Sequence, residues 1–92
     1  MKKEALKKGT RIYYTGDMAN EEGFGVIIHR STGQFGVFVA VKLDDGRIFE
    51  SLSALDFSDV YEGHCGTRFV TEEAYRKFHR AAIEKLKKSL NK

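Results

Sequence analysis

Between residues 37 and 43 the chain alternates Val37, Val39, Val41 and Leu43 with Phe38, Ala40 and Lys42. Period-two patterning in β-favouring residues predicts a strand with one buried face. Asp44-Asp45-Gly46 then forces a reversal, and its register can be argued. A two-residue loop at Asp45-Gly46 would set Glu50 opposite Val41 on the core face, where an unpaired carboxylate costs several kcal/mol. A three-residue loop with Gly46 in the left-handed conformation pairs Val41 with Phe49 and turns Glu50 outward. The second register is preferred. Upstream, Val26 and Ile28 are expected to face the same core. The segment Ser31-Thr32-Gly33-Gln34-Phe35-Gly36 reads as the joining loop, its glycines permitting a sharp return. Gly23–Leu52 is thus a three-strand meander.

The 92 residues make a single domain, 1–92, near the lower size limit for an unstapled hydrophobic core. One cysteine, Cys65, leaves no internal disulfide. No apolar run is long enough for a membrane span, and the start MKKEALKK lacks the apolar segment of a signal peptide. The expectation is a cytoplasmic protein without membrane contact. The net charge of +3 is unevenly divided. Residues 1–12 carry five Lys/Arg against one Glu, and residues 74–92 carry seven against one. The stretch 13–73 carries four against eleven acids, so an acidic body has two basic ends. Such a body would repel phosphates from the usual ligand face of a small barrel.

Residues 1–8 read as a basic arm or a short helical turn, and 9–70 as the β body. Thr10–Thr15 is the first expected strand, with Ile12 and Tyr14 on one face and Tyr13 on the other. Gly16–Gly23 reads as a long acidic loop, a place where function often resides. Residues 53–66 suggest a helical turn and an irregular packed segment, and Thr67–Val70 a last strand. Thr71 is a good N-cap, with Glu72 and Glu73 in the first turn of a helix over 71–91. Tyr75, Phe78, Ala82 and Leu86 form its apolar stripe, widened by Ile83 and Leu90. The fold class expected is mainly β (β+α): an SH3-like small antiparallel barrel with a C-terminal α-helix.

The order KKGTRIYY, a long loop, GFGVI and then VKLDDGRIF resembles the KOW and Tudor branches of the SH3-like fold. The KOW resemblance implies nucleic-acid or ribonucleoprotein binding, the Tudor resemblance protein binding. YYTGDMAN followed by GFG resembles small uncharacterised proteins carried by plasmids and phages. That setting implies an inhibitor of a host or rival nucleoprotein machine, including a CRISPR-type complex.

Two surfaces stand out as candidates. Tyr13, Phe24 and Phe35 with Asp17, Glu21 and Glu22 join aromatics to acids, which suits a cationic group on a protein partner; the same aromatics also suit ordinary packing on a half-buried sheet. Arg76, Lys77, Arg80, Lys87 and Lys88 lie outside the helical stripe and suit phosphates or an acidic protein, or a solvated face. The terminal Lys2, Lys3, Lys7 and Lys8 would add to a nucleic-acid contact. His64-Cys65, His29 and His79 have no recognised metal-ligand spacing, so neither metal nor cofactor is expected. The glycine pairs lack the Lys-Ser/Thr and helix of a phosphate loop. The function expected is therefore a non-enzymatic, macromolecule-binding module, chiefly for protein. The alternative is weak, sequence-tolerant nucleic-acid binding.

Overall fold

A computed structural model describes residues 5–63 and 68–90. Six strands follow in order: β1 (Arg11–Tyr14), β2 (Gly23–Gly33), β3 (Gly36–Leu43), β4 (Ile48–Ser53), β5 (Phe57–Ser58) and β6 (Phe69–Thr71). They form one curled sheet in the order β4-β3-β2-β1-β6-β5, a half-barrel, followed by α1 (Glu72–Leu90). The mainly β class with a C-terminal helix is as expected, and the half-barrel is compatible with an SH3-like fold.

The β3–β4 turn takes the register argued from charge. Val41 pairs with Phe49, Glu50 is exposed, and Gly46 has φ +101°. Val39, Val41 and Leu43 are buried inside the curl with Ile12, Tyr14, Ile27, Leu52, Phe57 and Phe69. Inward and outward residues alternate along the strands except at a bulge in β2 and another in β4, so one apolar set per strand suffices for this core.

Four expectations need correction. On β2 the core-facing residues are Gly25 and Ile27, while Val26 and Ile28 are half-buried on the outer face. The reason is steric: a Cβ at Gly25 would lie 2.6 Å from the Lys42 carbonyl oxygen and 2.9 Å from Leu43 Cα, so β2 presses on β3 where only glycine fits. The β2–β3 connection is shorter than expected, because Gly33 pairs with Gly36 and only Gln34 and Phe35 turn. At the N-terminus Leu6 is fully buried in the core, and the Gly9 N–H bonds the Ile27 carbonyl. Leu6 therefore ties this stretch to the packed body, while Ala5, Lys7 and Lys8 stay exposed. Finally, Leu86 does not pack: it is 63% exposed, and no residue of α1 is fully buried.

The segment after β4 contains the expected helical turn. Residues Ala54–Asp56 form a 3₁₀ turn with a capping box: the Ser53 hydroxyl accepts from the Leu55 N–H, and Asp56 accepts from the Ser53 N–H. Phe57 then enters the core and stacks on Phe69 at 5.0 Å.

Candidate functional site

The helix begins where expected. The Thr71 hydroxyl accepts from the Ala74 N–H at 3.1 Å, satisfying one of the free N–H groups of the first turn. Glu72 in that turn accepts from Arg76 one helical turn on and from Arg11 on β1. Arg11 also makes a bidentate pair with Asp44 at 2.9 and 3.0 Å. The guanidinium hydrogen bond to Asp44 is the main cause holding the Arg11 pKa above its usual value, and Arg11 in turn holds the Asp44 carboxyl low. Glu72 is lowered chiefly by Arg76. These bonds fix the start of α1 to the mouth of the β1–β2 ladder.

Beyond that anchor the helix lies on an aromatic bed. Tyr13 and Val70, paired across β1 and β6, are buried on the outer face of the sheet. Tyr75 stacks on Tyr13 with ring centroids 3.9 Å apart, and Phe24 meets both rings at 5.2 and 5.3 Å. Arg76 sits over the Phe24 ring at 5.2 Å. Phe78 packs edge-on to Tyr61 and rests against Gly63, where a Cβ would come within 2.8 Å of its ring. The Tyr13 hydroxyl donates to Glu22 at 2.5 Å; burial first, then this bond, raises its pKa.

The acidic loop is internally tied. Asp17 accepts from the Tyr14 hydroxyl at 2.8 Å and from the Ala19 and Asn20 N–H groups at 2.7 Å each. Those bonds, the Tyr14 hydroxyl first, bring its pKa down to about 2. Tyr14 itself is raised, mainly by burial. Glu21 is exposed beside it.

The aromatic and acidic candidates therefore divide. Tyr13 and Phe24 lie under the helix with Glu22 bonded to Tyr13, Asp17 shapes its own loop, and Phe35 is 86% exposed at the tip of the β2–β3 hairpin. Of the basic candidates, Arg76 is paired with Glu72. Lys77, Arg80, Lys87 and Lys88 are exposed and make no ion pair among the described residues. His64 and Cys65 lie outside the described residues; within them, no group of three or more His, Cys, Asp and Glu is placed to hold a metal ion. Among the described residues no helix is long and apolar enough to cross a membrane.

Two features escape sequence reading. The first is the distal part of α1. Its ring contacts end at Phe78 and His79, Ala82 is half-buried, and beyond them Ile83, Leu86 and Leu90 are 51%, 63% and 81% exposed, flanked by Lys85, Lys87 and Lys88. The apolar stripe was legible, but not where its support stops. The second is a depression on the outer face of β2–β3–β4. Both neighbours of β3 bulge opposite Ala40: Ile28 is the extra residue on β2, and Glu50 with Ser51 face Ala40 from β4. Ser51 is the one described non-glycine residue at positive φ, 58°. The result is a pocket of ≈ 320 Å³ lined by Ile28, His29, Phe38, Ala40, Glu50 and Ser51. A small residue at position 40 among larger outward neighbours is its only sequence trace. Comparison with protein-family models, curated proteins and solved structures finds no match.

Proposed function

We propose that this chain is a non-enzymatic binding module that presents the distal part of α1 to a protein. One observation carries the reading: the last turns of α1 hold Ile83, Leu86 and Leu90 exposed between lysines, with no body beneath them among the described residues. An exposed apolar stripe on a helix fits an apolar groove, and the lysines at its margins fit acids on the groove's rim. Phosphates would draw on Arg80, Lys87 and Lys88 but would have no use for the leucines. This favours protein over nucleic acid. Within the resemblance to KOW and Tudor domains, it favours the protein-binding side. In a plasmid or phage setting the partner would be a component of a nucleoprotein machine, such as a CRISPR-type complex.

The test compares the wild-type chain with Leu86→Asp plus Leu90→Asp as bait in a lysate at physiological salt. A saturable partner retained by the wild type and lost by the variant is expected. A partner held equally by both would move the site off the helix. In parallel, DNA and RNA probes should bind weakly and be released by ~200 mM salt. Tight, sequence-selective binding that survives higher salt would replace this reading with nucleic-acid recognition.

A further inference from the structure

The helix end calls for an apolar groove with an acid at its edge, and the chain itself carries an apolar depression with one carboxylate, Glu50, in its lining. The depression over Ala40 is floored and walled by Ile28, Phe38 and Ala40, with Glu50 at its edge. It lies in a body whose described residues are rich in acids, while the helix is rich in lysine. The double bulge and the left-handed Ser51 are unusual backbone, and a strained residue beside a concavity is a common mark of a binding site.

The helix does not reach this pocket on its own molecule. It packs on β1 and β6, whereas the pocket is formed on β2, β3 and β4 across the sheet. The course of α1 also runs the other way. It starts beside Arg11, crosses Tyr13 at Tyr75 and reaches Tyr61 and Gly63 at Phe78, while His29 lies beyond the Arg11–Val26 pair at the opposite end of the ladder. Direct helix-to-helix pairing between copies is disfavoured, since it would bring Lys85, Lys87 and Lys88 of both together. We infer that the helix end docks in the Ala40 pocket of a second copy of this chain, each copy donating its helix and receiving the other's. Leu86 enters the apolar floor, and the lysines beside it face Glu50.

Reciprocity is needed for stability. A standard interface buries about 800 Å² per partner, and twofold symmetry supplies the helix-end contact twice. It also closes the assembly, since the same contact without closure would propagate as a filament.

This inference rests on the helix being the binding surface, and the experiment separates the two claims. Sedimentation of the full chain from about 1 µM to about 1 mM should show a monomer–dimer equilibrium. Glu50→Lys and Lys87→Glu, each alone, should weaken it by about tenfold or more, because each homodimer then holds two like-charge contacts. An equimolar mixture of the two variants should recover wild-type association: one contact in the mixed dimer is wild type and the other has its charges exchanged. A folding defect would not be repaired by mixing. Leu86→Asp should abolish the dimer. A chain that stays monomeric throughout, a mixture that stays as weak as its components, or a dimer indifferent to Leu86→Asp overturns the inference. A monomer that captures an acidic foreign protein through Leu86 would overturn self-docking and leave the helix reading standing.

Discussion

Gly25 shows how one residue without a side chain can set the spacing of a sheet. Its missing Cβ would meet backbone atoms of Lys42 and Leu43, which cannot rotate away. Gly25→Ala should therefore part β2 from β3 and destabilise the chain by about 2–3 kcal/mol in urea unfolding. Asp17 acts through hydrogen bonds instead. Its folded pKa, about 2, lies below the ordinary carboxylate value, because the Tyr14 hydroxyl, the Ala19 N–H, the Asn20 side-chain amide and the Asn20 N–H all favour the ionised form. The stability it contributes is complete above the unfolded pKa near 4 and is lost as pH falls through about 2. Asp44 and Glu72 are lowered as well and act in the same direction. Thermal melts from pH 6 downward should show Tm falling on the acid limb, and Asp17→Asn should make that limb shallower. A limb unchanged by Asp17→Asn would assign the acid sensitivity to other groups.

At the scale of the element, α1 is two helices in one. Its first turns are capped by Thr71, anchored through Glu72 and bedded on Tyr13, Phe24 and Tyr61. Its last turns have no such support among the described residues. The expected contrast is sharp. Phe78→Asp removes a ring packed on Tyr61 and Gly63 and should cost about 2 kcal/mol or more. Leu86→Asp, on the same stripe, should change folding stability by less than about 0.5 kcal/mol. Equal losses at both positions would mean that the helix is supported along its whole length. The pair separates what the stripe does for folding from what it offers a partner.

For the whole molecule, the radius of gyration of 14.8 Å exceeds the ~12 Å of a compact chain of this length, and the long dimension is 57 Å against 26 and 22 Å. That elongation is what an amphipathic helix extending past its body produces. Strand alternation over Val37–Leu43, the Gly46 turn with Val41 opposite Phe49, and the Thr71 cap were all legible in the chain, because each depends on neighbours within a few residues. The facing of β2 was not, since Gly25 is required by the backbone of Lys42 and Leu43, residues distant in sequence. Nor was the burial of Leu6, which enters a core assembled from most of the strands. The candidate aromatics show the same boundary. Composition marks Tyr13 and Phe24 as interaction-prone, but only the crossing of α1 over β1 turns them from a surface into a bed. Likewise the Ala40 pocket arises from two bulges meeting across one residue, a coincidence of register between three strands. Local pattern decides which elements form and where they stop; which faces remain open to a partner is decided by the geometry in which those elements meet.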